Sequence, residues 1–205
     1  MDILYSDRDL AVCIKPVGLD SEAEVPAELK KALGGEIFPI HRLDKNVGGV
    51  MVFARTKEAA AALSKAVQEG QMVKEYVAMV HGTPPETGDW EDFLFKDSRK
   101  NKVFAVKKER KGVKYARLEF HRLTASETSL VHIRLHTGRS HQIRVQFASR
   151  KMPLYGDSRY GGVKGKDLGL WSHCLTLPHP ITNATLSAES KPDWSLAPWC
   201  WFKQT

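Results

Sequence analysis

The sequence predicts an α+β fold in which flanking helices pack on a mixed, largely antiparallel central sheet. Strand-like segments outnumber helical ones, several of them follow each other through short turns, and no regular alternation of strand and helix points to a doubly wound sheet. The chain has 205 residues, of which 42% are hydrophobic and 27% charged, and this suffices for one domain with its own core.

The first half of the chain contains three predicted strands and two predicted helices. The strands are 3–5, 10–14 and 50–54, and the helices are 25–33 and 57–69. Alternating or unbroken apolar runs indicate the strands, whereas helical spacing and flanking cap residues indicate the helices. Thr56 is a suitable N-cap for the second helix, and Gly70 fits the C′ position that follows it.

The second half is richer in strands. The predicted strands are 74–81, 115–123, 129–135 and a further region near the end of the chain, and the predicted helices are 141–149 and 169–175. The strands 115–123 and 129–135 alternate well enough to pair antiparallel. The lysine-rich stretch 93–113 predicts either a solvated hairpin or an exposed basic loop, and the Pro- and Gly-rich stretch 153–165 predicts a loop.

Composition and charge limit the classes of function. The longest apolar runs, such as 49–54, are too short to cross a bilayer, and the first residues do not resemble a secretion signal. The cysteines Cys13, Cys174 and Cys200 are widely spaced, which favours a reducing cytoplasm. A formal net charge of +7 suits a polyanionic partner but is weak evidence alone. No long apolar stripe demands an obligate partner, so we expect a monomer.

Three segments concentrate polar residues between apolar elements. In 41–49, Asp44 is flanked by Arg42 and by glycines, which fits either a site or a local ion pair that closes a loop. In 74–76, Tyr76 fits packing more readily than catalysis. In 135–144, His, Gln and Arg side chains surround a Thr-Gly turn into a helix, which fits either a site or a capped helix with a basic solvated face.

Neither a metal nor a cofactor is expected. His136 and His141 are five residues apart, which does not place both on one face of a helix, and no nearby Cys or Glu completes a ligand set with His132. The sequence has no phosphate-binding Gly-rich loop and no Gly-x-Ser-x-Gly motif. A metal-dependent hydrolase that uses the histidines is an alternative that a metal assay would test.

In their order along the chain, these segments resemble the motifs of RluA-type pseudouridine synthases. The resembling motifs are Lys15-Pro16-x-Gly18-Leu19, His41-Arg42-Leu43-Asp44, Lys74-x-Tyr76-x-Ala78, Thr137-Gly138-Arg139-x-His141-Gln142-Ile143-Arg144, Pro153-Leu154-x-Gly156-Asp157-x-x-Tyr160-Gly161 and Leu177-x-His179-Pro180-Ile181-Thr182. They span nearly the whole chain. The resemblance implies a single pseudouridine synthase catalytic domain over 1–205, with a central active-site cleft and no small RNA-binding domain ahead of it.

The resemblance also implies an enzyme that isomerises specific uridines in structured ribosomal or transfer RNA to pseudouridine by base flipping, without a cofactor. By resemblance, Asp44 is the catalytic carboxylate, Arg144 is its basic partner, and Tyr76 lies against the target base. RNA contact or base flipping is implied for the remaining site residues, which are His41, Arg42, Arg139, His141 and Gln142.

Residues 47 and 48 depart from the family pattern. The family usually continues Asp-x-x-Thr-Ser-Gly, whereas here Asp44 is followed by Lys45-Asn46-Val47-Gly48-Gly49, so two hydroxyl groups near the active loop are missing. The main alternative from another class is a non-catalytic RNA-binding or chaperone protein with the same fold. The presence of Asp44, Tyr76 and Arg144 argues against it.

Overall fold

The computed structural model describes residues 1–162 and 167–202, and these residues belong to two compact units. The helices are α1 (Glu24–Leu33), α2 (Lys57–Gln68) and α3 (Gln142–Ser149), with a 3-10 helix at Trp199–Phe202. The strands are β1 (Ile3–Ser6), β2 (Leu10–Lys15), β3 (Phe38–Pro39), β4 (Gly48–Ala54), β5 (Val73–His81), β6 (Thr87–Asp97), β7 (Lys102–Val106), β8 (Val113–Arg122), β9 (Thr128–Leu135), β10 (Leu170–Pro178) and β11 (Thr185–Glu189). Within the described ranges, no helix combines the length and the apolar character that crossing a membrane requires.

The first unit comprises Met1–Lys74 and Trp171–Pro192. Its strands lie in the order β1-β2-β4-β10, with β3 beside β4 and β11 beside β10. β4 is parallel to β10 and antiparallel to β2 and β3. Every residue of β4 is buried, and Val52 packs in one core cluster with Leu63 of α2. The loop that precedes β4 therefore ends at a strand that is fixed in the core.

The second unit comprises Glu75–Leu170 and the residues from Asp193 onwards. Its strands lie in the order β5-β9-β8-β6-β7. β6 pairs antiparallel with both β7 and β8, and β8 pairs antiparallel with β9. α3 covers part of one face of these strands, where its residue Val145 packs against Leu94, Val103 and Ala116.

The ends of α2 follow the predicted cap chemistry. The Thr56 hydroxyl oxygen accepts a hydrogen bond of 3.1 Å from the Ala59 N–H, which satisfies one donor of the first turn. Gly70 has a φ of 72°, the left-handed conformation that ends a helix at the C′ position. Both predictions are confirmed.

The predicted fold class is confirmed in both units, because most strand pairs are antiparallel and helices pack beside them. The predicted antiparallel pair of the second half is β8 and β9. The stretch 93–113 contains the hairpin of β6 and β7, followed by an irregular basic segment that leads into β8. The single domain over 1–205 and the central cleft stay predictions.

The predicted helix 169–175 is wrong, because this segment belongs to β10. Leu170, Ser172 and Cys174 are buried whereas the residues between them are partly exposed, which is the two-residue period of a strand. Pairing of β10 with β11 and β4 outweighs any local helical preference. The predicted loop 153–165 is confirmed as far as Gly162, and 163–166 lie outside the described residues.

Gly49 offers a test of how closely β4 approaches β10. Its φ is +119°, which residues with a side chain rarely adopt, and an added Cβ would overlap the backbone of Ser172. We expect Gly49→Ala to lower the free energy of unfolding, measured with urea, by roughly 3 kcal/mol or more. Gly70→Ala is the matched control, since Gly70 also has a positive φ but no neighbour within 4 Å of an added Cβ. Equal losses in the two variants would contradict the close approach.

Candidate active site

The loop that carries Asp44 is fixed through its backbone. Residues 40–47 connect β3 to β4. The Lys15 ammonium donates hydrogen bonds to the carbonyl oxygens of Lys45 at 3.1 Å and Val47 at 2.8 Å, and to that of Pro16 at 2.9 Å. The Gly18 N–H also donates to the Lys45 carbonyl at 2.8 Å. One cation therefore ties the end of β2 to the end of the Asp44 loop.

Lys15 is fully buried, which is unusual for a lysine. Burial lowers the pKa of Lys15 to about 8, against the attraction of Asp20 and Asp44, so the side chain remains largely protonated at neutral pH. An ammonium group has three N–H donors, and three backbone carbonyls accept them here. The buried charge is thus stabilised by oriented dipoles.

The side chains of His41 and Ser172 bond to backbone groups of β4. Nε2 of His41 accepts a hydrogen bond of 3.1 Å from the Val52 N–H, and the Ser172 hydroxyl donates one of 3.0 Å to the Val50 carbonyl. Because Nε2 accepts, the neutral ring carries its proton on Nδ1. Burial and the positive charge of Lys74 lower the pKa of His41 to about 4. His41 is therefore neutral at physiological pH and anchors the start of the loop.

The degree of burial alternates along this loop. Leu43 is buried, and its carbonyl accepts a hydrogen bond of 2.9 Å from the buried Ser21 hydroxyl. On either side of it, Arg42 is exposed and pairs with Glu22 at 3.0 Å, whereas Asp44 is half-buried. The loop thus brings the three site residues predicted in it together and holds the half-buried Asp44 on a fixed backbone.

The departure from the family pattern at 47 and 48 has a structural explanation. Gly48 lies against the ring of Trp171, and any Cβ at position 48 would overlap that ring. A serine would therefore not fit beside this tryptophan. Val47 is buried, and its carbonyl accepts one of the Lys15 hydrogen bonds. The Trp171 ring and the hydrogen bond from Lys15 to the Val47 carbonyl therefore lie at the two positions where the family pattern has Thr and Ser.

In the second unit, Tyr76 on β5 and Arg144 on α3 are nearly buried. Arg144 donates from Nε and Nη2 to the two carboxylate oxygens of Asp157, at 2.7 and 2.9 Å. Asp157 is 1% exposed and also accepts the N–H groups of Arg159 and Tyr160. A bidentate pair of this kind fixes the plane of the guanidinium group.

Tyr160 connects Arg144 to His141. The guanidinium carbon of Arg144 lies 5.3 Å from the centre of the Tyr160 ring. The Tyr160 hydroxyl accepts a hydrogen bond of 2.8 Å from the Val103 N–H and lies 2.9 Å from Nδ1 of His141. Burial raises the pKa of Tyr160, so its hydroxyl keeps its proton at neutral pH. His141 precedes α3 in a left-handed conformation with φ of 52°.

Gln142 and Arg139 brace the turn before α3. Oε1 of the buried Gln142 accepts hydrogen bonds from the Thr137 hydroxyl at 2.8 Å and the Arg139 N–H at 3.0 Å. Its Nε2 donates to the Arg117 carbonyl at 3.1 Å. These bonds fit a positioning role better than the RNA contact predicted for Gln142. Arg139 is half-buried and donates from Nε to the Tyr115 carbonyl at 2.8 Å, which orients its guanidinium group.

Sequence reasoning missed the residues that hold these side chains in place. Lys15, Asp157 and Tyr160 stand in motifs that resemble the family, but no role followed from their types or spacing. A lysine at the end of a strand is expected to be exposed, so nothing indicated the burial of Lys15. The available signal was their position in motifs that resemble the family.

One group of potential metal ligands occurs among the described residues, where atoms of Asp7, Asp9 and His179 lie within 4.8 Å of one another. Oδ1 of Asp7 accepts the N–H groups of Asp9 and Leu10 at 2.8 and 2.9 Å. Oδ2 accepts the Tyr5 hydroxyl at 2.8 Å and lies 2.7 Å from Nε2 of His179. Partial burial opposes them, but these hydrogen bonds hold the pKa of Asp7 below its usual range. These contacts therefore fit a role of Asp7 in stabilising the β1–β2 turn better than a role as a metal ligand.

Comparisons with known sequences place the chain in a family. A family model described as RNA pseudouridylate synthase matches residues 9–149. The tRNA pseudouridine synthase C of Haemophilus ducreyi is 30% identical, and the match covers 96% of this chain and 93% of that protein. The ribosomal large subunit pseudouridine synthase D of Vibrio cholerae is 33% identical, with 79% of this chain and 53% of that protein covered. The chain spans about half the length of several curated relatives, including 56% of an uncharacterized RNA pseudouridine synthase of Aquifex aeolicus.

Solved structures share the fold. The human protein RNA pseudouridylate synthase domain containing 1 superimposes with a TM-score of 0.80 at 22% identity, covering 97% of this chain and 85% of that chain. Human RNA pseudouridylate synthase domain containing 4 gives a TM-score of 0.79 at 24% identity, covering 94% of this chain and 89% of that chain. The family model, which matches more than half of the sequence, and the tRNA pseudouridine synthase C relative show that the chain belongs to the RNA pseudouridylate synthase family. The family resemblance predicted from the motifs is confirmed.

Replacing Lys15 tests the clamp on the Asp44 loop. Lys15→Met keeps most of the side-chain volume but removes the donor for three carbonyl groups, and we expect the free energy of unfolding to fall by about 3 kcal/mol or more. Urea unfolding measures the change. Lys45→Met is the matched control, because Lys45 is exposed and pairs only across the surface with Glu24. A similar small change in both variants would show that the clamp does not hold the loop.

His41 predicts a specific sensitivity to acid. Its pKa in the folded protein, about 4, lies below the ordinary value of 6.5, so below pH 6.5 the unfolded chain takes up a proton that the folded chain does not. Stability from this group is complete above pH 6.5 and is lost as the pH falls towards 4. Between pH 7.5 and 4.5 we expect wild type to lose about 2 kcal/mol more than His41→Gln, whose amide oxygen can accept the Val52 N–H without titrating. Equal losses in urea unfolding would contradict this assignment.

Proposed function

We propose that this protein isomerises a uridine in structured ribosomal or transfer RNA to pseudouridine. The observation that carries the proposal is the Asp44 loop, which holds a half-buried carboxylate on a backbone fixed by Lys15 and His41. Membership of the family supports the reaction class. Relatives named for ribosomal RNA and for transfer RNA support the two substrate classes.

The chemistry needs a carboxylate at the ribose and little else. The bond between N1 of uracil and C1′ breaks, the base turns, and a bond between C5 and C1′ forms. C5 loses its proton and N1 gains one, so the product is an isomer of the substrate. Because no electrons or groups are exchanged with another molecule, we propose a reaction without a cofactor. Asp44 either attacks C1′ or removes the C2′ proton.

Two residues of the second unit complete the proposed chemistry. Arg144 is the basic partner of Asp44, and the pair with Asp157 keeps its guanidinium group in one orientation. Tyr76 lies against the target base. These assignments are supported by the family resemblance of Lys74-x-Tyr76-x-Ala78 and of 137–144.

The target nucleotide leaves its stack before reaction in this proposal. Extrusion of a base costs a few kcal/mol, so the vacated space requires a substitute. Arg42 is suited to this role, because an exposed guanidinium group can stack on bases and bond to phosphates. Arg139 and His141 contact the RNA, whereas His41 and Gln142 position the site through their hydrogen bonds to protein atoms.

The protein acts in this proposal as one catalytic domain over 1–205, as a monomer and in the cytoplasm. Cys13, Cys174 and Cys200 are all unpaired, in keeping with a reducing compartment. The basic net charge of +7 agrees with an RNA partner.

Asp44→Asn tests the proposed reaction directly. The amide keeps the size of the side chain but cannot serve as a nucleophile or base, so we expect pseudouridine formation to fall by at least about a thousandfold. RNA affinity and the urea unfolding curve should stay close to wild type. The assay uses unmodified ribosomal and transfer RNA transcripts of the host and detects pseudouridine by mass spectrometry.

Glu36→Gln is the control for this experiment, because it neutralises an exposed carboxylate outside the proposed site. It should leave the rate unchanged. Normal turnover by the Asp44 variant would overturn the mechanism. RNA binding by wild type without any pseudouridine in either class of transcript would favour a non-catalytic RNA-binding protein.

A further inference from the structure

The positive charge of the protein is concentrated in one segment. Residues 96–114 contain nine Lys or Arg and two acidic residues, a net charge of +7 that equals the charge of the whole chain. The rest of the sequence carries equal numbers of basic and acidic residues. The segment comprises the end of β6, the β6–β7 turn, β7, the basic stretch that follows it and the start of β8. Attraction for a polyanion therefore arises mainly from this part of the molecule.

The register of the strands separates these cations into two groups. Lys114 pairs with Leu94, and Lys96 pairs with Val103, so these four side chains share one face of the sheet. Leu94 and Val103 pack against Val145 of α3, which identifies this face as the one that α3 partly covers. The side chains of Lys96 and Lys114 therefore lie on the face of the sheet that α3 partly covers.

These two lysines line a pocket together with that turn, which we call the cation pocket. Leu94 and Val103 are its buried apolar residues, and Lys96, Lys114, Arg139 and Ser140 supply its polar groups. The cavity has a volume of about 140 Å³, and none of the described residues that line it is acidic.

Arg139 is held in place at this pocket. Its Nε donates to the Tyr115 carbonyl, and its backbone N–H donates to Gln142. Arg117, a nearby cation on β8, differs because it is neutralised by Asp89 and Glu119 at 2.8 and 3.0 Å. The cation pocket therefore retains a concentrated positive charge in a concave site with one oriented guanidinium group.

We propose that the cation pocket binds a backbone phosphate of the substrate RNA, at a nucleotide other than the target. Three cations and a hydroxyl around a small cavity match the charge and the hydrogen-bond acceptors of a phosphate group. The pocket adjoins 139–141, the turn that leads into α3 and Arg144, so a phosphate held there would set the register of the RNA relative to this helix. The inference rests on the proposed function and adds a contact outside its chemistry.

The test compares two pairs of charge-removing substitutions in the same segment. Lys96→Gln with Lys114→Gln removes two charges from the pocket, and Lys107→Gln with Lys108→Gln removes two exposed charges that do not line it. The dissociation constant for an unmodified transfer RNA transcript is measured from 50 to 300 mM KCl. The slope of log affinity against log salt concentration is negative. We expect its magnitude to decrease by about 0.7 to 0.9 in the pocket variant, which is the value for one lost phosphate contact. The decrease in the control should be clearly smaller.

Further arms separate the sources of phosphate and the two proposals. Lys96→Arg with Lys114→Arg should restore the wild-type slope, and inorganic phosphate at matched ionic strength should compete with RNA no better for wild type than for the pocket variant. Equal slopes in the two Gln pairs would overturn the inference. Selective competition by inorganic phosphate would identify a site for a small anion instead of RNA. If the wild-type protein forms no pseudouridine in any transcript, the proposed function is refuted. The salt slopes would still show whether the cation pocket binds RNA.

Discussion

The buried ammonium of Lys15 is the interaction on which the arrangement around Asp44 depends. Carbonyl groups that converge on one point repel each other unless a cation lies between them, so the conformation of the loop and the charge of Lys15 require each other. A loop held in this way needs few apolar contacts. It can hold the half-buried Asp44 side chain in a fixed position, which is the preorganisation that the role proposed for this carboxylate requires.

The two units hold their functional side chains by different physical means. In the first unit the anchors act on the backbone, and they leave Arg42 exposed and Asp44 half-buried. In the second unit Arg144 is held by its own side chain, through a buried ion pair with Asp157. Such a pair requires desolvation of both charges, and the additional N–H donors to Asp157 offset part of that cost. The arginine obtains a defined orientation from it, which a flexible surface arginine lacks.

Structural elements that are determined by nearby residues could be predicted from the sequence, whereas elements that depend on contacts with distant parts of the chain could not. Thr56 and Gly70 mark the ends of α2 because cap chemistry acts within a few residues. The segment 169–175 carries no comparably strong local signal, and its strand conformation comes from pairing with segments far away in the chain. The site residues were predicted from the order of the motifs. Their supports were not, because the burial of Lys15 and the commitment of Gln142 to protein atoms appear only when the strands and turns are in place.

The confinement of the net charge to 96–114 has a kinetic consequence. Because the rest of the chain has no net charge, an approaching polyanion would make its first contact at this segment. If the partner is RNA, as proposed, the rate of association depends steeply on ionic strength, whereas the chemical step proposed for Asp44 does not. In this proposal, the search for RNA and the selection of a uridine belong to different parts of one small chain.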